Sequence, residues 1–371
     1  MPASWLPASW LPVSWLPVSW IVDLARLAVG FLLLAQVRRP GRWGRARSDI
    51  AVIVPARNEA ESLPQLLQGL GPQLRPGDEL VVVDDGSDDA TTQIAEEAGA
   101  RVFAAGPLPS GWTGKSRACH VGVEATTAPV LVFLDADVRL QPGAIHSVVA
   151  ELDDCGGLVS VQPSHIPEKA GEQMAAFFNL VSMMGTGAFL PRARPPKVAF
   201  GPVLACRRSE YVRAGGHEAV ASEVLDDAAL AGRFRSLGLS VRLMGGGKAI
   251  TFRMYPRGVA QMVEGFTKNF AAGARRTNPL VMAAVVFWLS GVIAAPFRGW
   301  LRYGLYAAQI AVLLPKVGRF QWWVSAFYPA PLVVFLGVFV RSLVLLATGR
   351  PAKWKGRYVG GRGGSFDGRG A

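Results

Sequence analysis

Two aspartates at the end of an apolar run are the residues in this sequence best suited to chemistry. Asp135 and Asp137 follow residues 131–134, Leu-Val-Phe-Leu, which have the pattern of a buried strand. Carboxylates spaced this way at a strand's carboxyl end can turn toward one point, where open α/β sheets bind ligands. Their oxygens suit Mg²⁺ or Mn²⁺ held together with phosphates. The spacing predicts a divalent cation bridging a diphosphate, although an isolated pair of this kind is more often ordinary loop chemistry.

Polar clusters also follow two apolar runs upstream. Residues 50–54 and 80–83 predict buried strands, and a helical pattern lies between them. Arg57 and Glu59 follow the first strand, and Asp85 follows the second. Strands alternating with helices predict an α/β fold with a mostly parallel sheet. Because the carboxyl ends of parallel strands meet at one edge, the clusters together predict a single binding crevice.

Other kinds of site are disfavoured by spacing. No Gly-x-Gly-x-x-Gly follows the first strand, and residues 114–116, Gly-Lys-Ser, lack the upstream glycine of a P-loop. Cys119, Cys155 and Cys206 are scattered without metal-ligand spacing. We therefore expect neither a dinucleotide site nor a zinc site nor a disulfide framework.

The composition predicts a membrane protein with a soluble catalytic domain. Of the 371 residues 50% are hydrophobic, and the apolar excess lies at both ends of the chain. The net charge is +12, but the basic residues cluster beside the apolar runs, as cytoplasmic membrane flanks do. A nucleic-acid partner is disfavoured for that reason. We expect a multi-pass protein of the cell membrane whose catalytic domain faces the cytoplasm.

These patterns predict a division of the chain into six segments. They are a Pro/Trp pentapeptide repeat expected to be disordered (1–20), a membrane anchor helix (21–37), the α/β domain (48–258), a juxtamembrane segment (259–279), transmembrane helices (280–348) and a basic cytoplasmic tail (349–371). Residues 280–297 form the clearest span. The number of later spans stays open, because prolines interrupt the last apolar stretch. Residues 172–190 fit a core helix and a membrane-interface surface equally well.

Four motifs together resemble the family-2 glycosyltransferases with the GT-A fold. They are residues 54–59 (Val-Pro-Ala-Arg-Asn-Glu), 83–87 (Val-Asp-Asp-Gly-Ser), 111–115 (Gly-Trp-Thr-Gly-Lys) and 134–137 (Leu-Asp-Ala-Asp). The resemblance covers about residues 48–258. The third motif, with Trp-Lys-Gly-Arg-Tyr near the end of the chain, is similar to the membrane-bound branch associated with carotenoid or hopanoid glycosylation.

The resemblance implies a donor site for a nucleotide-diphosphate sugar, a UDP- or GDP-sugar. Asp135 and Asp137 would hold Mg²⁺ or Mn²⁺. Lys115 would approach the diphosphate, and Asp85 would face the base or ribose. The residues that the resemblance assigns to nucleotide-sugar binding are Pro55, Arg57, Glu59, Asp85, Lys115 and Asp135.

The resemblance also implies the catalytic base. Relatives have Glu-Asp at the start of a helix near the acceptor, and the matching residues here are Asp226 and Asp227, so the first acid departs from the pattern. Asp227 would take the acceptor's proton while the anomeric carbon is attacked, which implies direct displacement with inversion. The alternative is that both acids only favour a helix N-terminus.

The expected reaction is transfer of one sugar to a lipid or isoprenoid acceptor through a hydroxyl or carboxyl group. Polymerisation is disfavoured, because the Gln-x-x-Arg-Trp signature is absent. A polyprenyl-phosphate glycosyltransferase stays an alternative, since Lys268, Arg275 and Arg276 could bind an acceptor phosphate. A catalytically silent membrane assembly subunit is the alternative from another class.

Overall fold

The computed structural model describes residues 18–41, 48–193, 195–196, 198–348, 352–354 and 357–359. The strands are β1 (Ile50–Ala56), β2 (Glu79–Asp84), β3 (Arg101–Ala104), β4 (Val130–Leu134), β5 (Val138–Leu140), β6 (Leu158–Gln162), β7 (Ser164–His165), β8 (Val203–Arg207), β9 (Val241–Gly245), β10 (Ile250–Phe252), β11 (Ala352–Trp354) and β12 (Arg357–Val359). The helices are α1 (Val18–Leu33), α2 (Leu63–Leu70), α3 (Thr91–Glu97), α4 (Gly114–Glu124), α5 (Ala144–Cys155), α6 (Ala176–Gly185), α7 (Arg208–Arg213), α8 (Asp226–Ser236), α9 (Val259–Arg276), α10 (Pro279–Ala294), α11 (Trp300–Leu313), α12 (Trp322–Ala326) and α13 (Pro329–Thr348).

The main sheet has seven strands in the order β3-β2-β1-β4-β8-β6-β9. The pairs from β3 to β4 are parallel, as is β6 with β9. Strand β8 runs antiparallel to both of its neighbours. A smaller sheet, in the order β5-β10-β7, lies beside the main one. The predicted α/β fold with a mostly parallel sheet is confirmed, and the antiparallel β8 is a feature that the sequence pattern did not predict.

Helices cover both faces of the main sheet. On one face, Val52 and Val54 of β1 pack in a core with α2 and α5; on the other, Ala51 and Ile53 pack in a core that includes α4, α6 and α8. Because a central parallel strand is buried on both faces, it is apolar at consecutive positions rather than at alternate ones. That property explains why residues 50–54 read as a continuous apolar run.

The segment at residues 172–190 belongs to the protein core. It forms a 3-10 turn followed by α6, and Phe177, Phe178, Met184 and Phe189 are fully buried. Phe178 stacks on Phe266 of α9, with ring centroids 4.0 Å apart. Of the two interpretations left open, the structure therefore supports a core helix.

The helices near the chain ends carry most of the exposed apolar surface. Leu280, Phe297, Trp300 and Trp322 are each more than three-quarters exposed. Two helical segments, Pro279–Phe297 and Pro329–Thr348, are long and apolar enough to cross a bilayer. Helix α11 also lies in this region, and α13 begins at Pro329 and has Pro331 in its first turn. This apolar surface points to association with a membrane.

The predicted anchor at residues 21–37 is not confirmed as a membrane span. The helix there, α1, begins and ends earlier and has 16 residues. Such a helix is about 24 Å long, whereas the hydrocarbon core of a bilayer is about 30 Å thick. Most of the predicted repeat (1–20) and of the predicted basic tail (349–371) lies outside the described residues. The exceptions are residues 18–20, which begin α1, and the backbone of β11 and β12.

A buried charge cluster fastens α1 to the later helices. The carboxylate of Asp23, 4% exposed, pairs with Arg26 at 3.2 Å, Arg298 at 3.6 Å and Arg302 at 2.8 Å. The guanidinium of Arg302 also lies over the ring of Trp20, 4.3 Å from its centroid. Without Asp23, part-buried guanidinium groups would face one another without a counter-charge.

We predict that Asp23→Asn destabilises the protein by about 3 kcal/mol, because removing one partner of a buried pair leaves uncompensated charge. Unfolding of the detergent-solubilised protein would measure the loss. Asp153→Asn is the matched control, since Asp153 pairs with Arg207 where both side chains are 45% exposed, and it should cost less than about 1 kcal/mol. Equal stability of the two variants would contradict the role of Asp23.

Candidate active site

A cleft of about 380 Å³ opens at the carboxyl ends of β1, β2 and β4. The register explains its position: Ala56 pairs with Asp84 across β1 and β2, and Ile53 pairs with Phe133 across β1 and β4. All site residues predicted from the sequence line this cleft: Pro55, Arg57, Glu59, Asp85, Lys115, Asp135, Asp137, Asp226 and Asp227. The structure thus brings them together, while the role of each stays a prediction.

The loops after β1 and β2 are hydrogen-bonded to each other. Arg57 donates to the backbone oxygen of Asp85 at 2.9 Å and lies 3.8 Å from its carboxylate. The backbone N–H of Asn58 donates to Ser87 Oγ, and that of Glu59 donates to Thr91 Oγ1, both at 2.9 Å. Asn58 has a positive φ of 53°, which Asn tolerates better than most residues. These bonds hold Arg57 and Asp85 in one wall of the cleft.

The N-terminus of α4 supplies the positive side of the cleft. Thr113 caps this helix by accepting a hydrogen bond from the backbone N–H of Ser116 at 3.2 Å. In the first turn, Lys115 Nζ donates to Asp135 Oδ1 at 2.6 Å. Burial by itself lowers the pKa of Lys115, but the carboxylates of Asp135 and Asp226 raise it above its ordinary value. A charged ammonium therefore stands beside a helix N-terminus, which is an arrangement that attracts phosphate groups.

Asp226 and Asp227 form the first turn of α8 on the opposite side of the cleft. Asp226 is 7% exposed, and its Oδ2 has no hydrogen-bond partner among the described residues. Burial, followed by the repulsion of the Asp226 carboxylate, raises the pKa of Asp227 to about 7, while Lys115 opposes the shift. Asp227 thus changes protonation near neutral pH, as a general base requires. Both acids also stabilise the helix N-terminus, so the two interpretations are compatible.

Gly201 lies where the two sides of the cleft meet. A Cβ at this position would be 3.0 Å from Asp227 Oδ2 and 3.2 Å from Lys115 Nζ. The next residue in the chain, Pro202, accepts a hydrogen bond from the backbone N–H of Asp135 at 2.9 Å. Glycine therefore suits position 201, because the carboxylate of Asp227 and the ammonium of Lys115 both approach it closely. The sequence alone did not show this close approach.

Asp135 and Asp137 offer a partial ligand set for a metal ion. Both are half-buried at the carboxyl end of β4 and line the cleft. Within the described residues no group of three or more His, Cys, Asp or Glu side chains is arranged to hold a metal. Two carboxylates fit an Mg²⁺ or Mn²⁺ ion that takes its other oxygens from a diphosphate and water, rather than a closed protein cage.

One wall of the cleft was missed in the sequence. It consists of residues 253–257, after β10, and of Gln261 and Gly265 in α9. Arg253 pairs with Glu168 at 2.8 Å and Glu172 at 2.7 Å. The usable signal was a short strand pattern, residues 250–252 (Ile-Thr-Phe), followed by an arginine, which is similar to the strand ends that identified the other walls. The positive φ of Tyr255, 60°, has no such signal.

Comparison with known proteins identifies the family. Residues 51–201 match the family described as Glycosyl transferase family 2. The 4,4'-diaponeurosporenoate glycosyltransferase of Staphylococcus haemolyticus (strain JCSC1435) is 35% identical over 339 residues, which cover 85% of this chain and 90% of that protein. The protein of the same name from Staphylococcus aureus (strain USA300) is 33% identical over 328 residues, covering 83% and 87%. This chain is a family 2 glycosyltransferase. The predicted relationship to the carotenoid-associated branch is confirmed by these relatives.

The fold of the glycosyltransferase agrees with a solved structure. A mannosyltransferase, PcManGT from Pyrobaculum calidifontis in complex with GDP-Man and Mn²⁺, superposes with a TM-score of 0.55 at 17% sequence identity. The match covers 88% of this chain and 95% of that one. The likeness extends to the fold alone, and it confirms the predicted GT-A architecture.

We predict that Gly201→Ala lowers turnover by up to about 10-fold with little change in stability, because a Cβ 3.0 Å from Asp227 Oδ2 and 3.2 Å from Lys115 Nζ forces only small shifts, whereas a misplacement near 1 Å in an active site costs about 100-fold. The new methyl group would push Asp227 and Lys115 apart. Steady-state glycosyl transfer and thermal unfolding would separate the two effects.

Gly232→Ala is the matched control for this substitution. Gly232 lies in α8, and a Cβ there would meet nothing within 4 Å. Alanine favours a helix interior, so this variant should keep full activity and be slightly more stable. Full activity of Gly201→Ala would show that the close approach at Gly201 has no catalytic consequence.

Proposed function

We propose that this glycosyltransferase moves one sugar, with inversion, from a nucleotide-diphosphate donor to an isoprenoid or other lipid-like acceptor at a membrane. The observation that carries the proposal is the arrangement of Lys115, Asp135 and Asp227 around Gly201 in a single cleft. The curated relatives are named as 4,4'-diaponeurosporenoate glycosyltransferases, which supports an isoprenoid acceptor. A UDP- or GDP-sugar is the proposed donor.

The donor would lie across the carboxyl ends of β1, β2 and β4. Pro55, Arg57 and Glu59 would line the nucleotide pocket, and Asp85 would face the base or ribose. Hydrogen bonds between the two loops keep this pocket formed before the donor arrives. Lys115 and the N-terminus of α4 would bind the diphosphate, because they offer an ammonium and backbone N–H groups at one point.

Asp135 and Asp137 would hold Mg²⁺ or Mn²⁺ together with the diphosphate. When bound, such an ion supplies positive charge that stabilises the leaving nucleoside diphosphate. Asp135 also accepts a hydrogen bond from Lys115, so the ammonium and the ion would share one carboxylate. The mannosyltransferase of similar fold was crystallised with Mn²⁺ and GDP-Man, which is compatible with this assignment.

Asp227 is the proposed general base, with Asp226 as its neighbour. A hydroxyl acceptor would lose its proton to Asp227 as its oxygen attacks the anomeric carbon. The bond from that carbon to the diphosphate breaks on the opposite side, so the configuration inverts. Asp226 contributes by raising the pKa of Asp227 together with burial, which makes Asp227 a better proton acceptor near neutral pH.

The proposed location is the cell membrane, with several passes and a cytoplasmic catalytic domain. The exposed apolar side chains of α10 to α13 and the two candidate spans support a bilayer on that side. The polyprenyl-phosphate alternative relied on Lys268, Arg275 and Arg276 as the cations for an acceptor phosphate. Arg276 forms an ion pair with Glu223, which leaves it less suited to an acceptor phosphate.

We expect Asp137→Ala to abolish turnover and metal-dependent donor binding, because one of two proposed metal ligands is lost. Calorimetry with UDP- and GDP-sugars, with Mn²⁺ or with a chelator, would measure donor binding directly. Asp154→Ala is the control, since its side chain is 73% exposed and lies outside the cleft. Donor binding by Asp137→Ala that still responds to Mn²⁺ would disprove this ligand assignment.

For a hydroxyl acceptor, Asp227→Asn should keep donor binding and lose about 10²- to 10⁴-fold in transfer rate, the usual contribution of a general base. In the unchanged enzyme, the rate should fall as the pH falls below about 7, because protonated Asp227 cannot accept a proton. The variant should lack this pH dependence. A pH–rate profile that is the same in both enzymes would argue against Asp227 as the base.

A further inference from the structure

The wall of the cleft at residues 253–265 connects the active site to the membrane-facing helices. Gln261 and Gly265 of α9 line the cleft. Further along the same helix, the backbone oxygen of Thr267 accepts a hydrogen bond of 2.7 Å from Ser342 Oγ in α13. Helix α13 is one of the two candidate membrane spans. An acceptor that leaves the lipid phase along α9 would therefore reach the cleft at this wall.

The charge balance of the cleft restricts which acceptor group can bind. Five aspartates line it, Asp85, Asp135, Asp137, Asp226 and Asp227, besides Glu59 and Glu61. An anionic acceptor brought among them is repelled unless a cation compensates. Most of the cations already have acidic partners: Arg57 with Asp85, Lys115 with Asp135, and Arg253 with Glu168 and Glu172.

Arg257 is the exception among the cleft's basic residues. Its side chain is exposed and lines the cleft, and it has no acidic partner among the residues that the structure describes. Its backbone is held in position, because its N–H donates to Gln261 Oε1 at 3.0 Å. The next residue, Gly258, is the N-cap of α9, whose first turn carries no acidic side chain. The guanidinium is thus free to bind an anion at the positive end of an 18-residue helix.

We propose that Arg257 binds the carboxylate of the acceptor and makes the enzyme select a carboxylic acid over the corresponding alcohol. The inference rests on the proposed function, and it assigns the acceptor's reacting group to a particular residue. A guanidinium binds a carboxylate through two parallel hydrogen bonds, which an alcohol cannot form. Arg257 therefore offers the positive charge that an anionic acceptor needs. Its pair of hydrogen bonds also distinguishes a carboxylate from an alcohol.

The reaction with an acid is balanced without a base, so the proposed role of Asp227 as a base applies to a hydroxyl acceptor. One carboxylate oxygen attacks the anomeric carbon and forms an ester C–O bond. The bond between that carbon and the diphosphate oxygen breaks, and its electron pair leaves with the nucleoside diphosphate. No proton is released, because a carboxylic acid is already ionised at neutral pH. Arg257 then offsets the repulsion between the acceptor and the aspartates of the cleft until the ester has formed.

The test compares an acid and its alcohol as acceptors of the full-length protein in lipid nanodiscs. Retinoic acid and retinol are matched probes, and the enzymes are the unchanged protein, Arg257→Gln and Arg257→Lys. Arg213→Gln is the control, since Arg213 is an exposed arginine at the end of α7 and does not line the cleft. KM is measured for each acceptor and for the donor.

Arg257→Gln should raise KM for the acid by about 10- to 100-fold, the value of a charge-assisted hydrogen bond. KM for the alcohol and for the donor should stay unchanged, and Arg257→Lys should restore part of the acid's affinity because it keeps the charge. The control should behave as the unchanged enzyme.

Three outcomes would overturn this assignment. Equal losses with the acid and the alcohol would mean that Arg257 does not distinguish them. A raised KM for the donor alone would make Arg257 a diphosphate ligand. No change in any KM would exclude a binding role altogether. Failure of the unchanged enzyme to use either probe or any extracted isoprenoid would instead refute the proposed function, and that failure is visible without the variants.

Discussion

The ion pair between Lys115 and Asp135 is the interaction on which the active site depends. It joins the first turn of α4 to the carboxyl end of β4 in a cleft that is lined by five aspartates. Acids so close together repel one another, and burial increases the repulsion because less water screens it. Lys115 offsets part of this charge, which is why it opposes the upward shift of the pKa of Asp227. The residues proposed to bind phosphate and metal and to act as the base can then lie in one cleft.

The core couples this cleft to the membrane-facing helices. The hydrophobic cluster beneath β1 and β4 continues without interruption to Trp288, Tyr306 and Phe335 of the terminal helices. Phe266 in α9 packs between Phe178 of α6 and Tyr255 in the cleft wall. Because close-packed interiors transmit displacement, the position of the cleft wall at residues 253–265 is set by the same packing that holds the membrane-facing helices. A soluble catalytic domain and a separate anchor would be an incomplete description of this enzyme.

Several elements could be predicted from the sequence because their signals are local. Residues 50–54 are apolar at consecutive positions, and residues 131–134 end at Asp135, so strand, sheet edge and ligand side chains are visible together. Other elements depend on distant partners. The helix at α1 was expected to span a membrane, yet its Asp23 pairs with Arg26 of the same helix and with the distant Arg298 and Arg302. The wall at Tyr255 was missed because the close approach of its ring to Gly265, where a Cβ would be 2.5 Å from the ring, follows no local sequence pattern.

The sequence by itself determined the fold class, the family resemblance and the set of polar residues that line the cleft, since each follows from residue types over short spans of chain. The tertiary structure alone decided which charges remain available. Arg253 and Arg257 are only a few residues apart and look equivalent in the sequence, but only Arg253 lies within reach of Glu168 and Glu172. Coulomb interactions depend on distance through space, and the sequence gives no measure of that distance before the chain has folded.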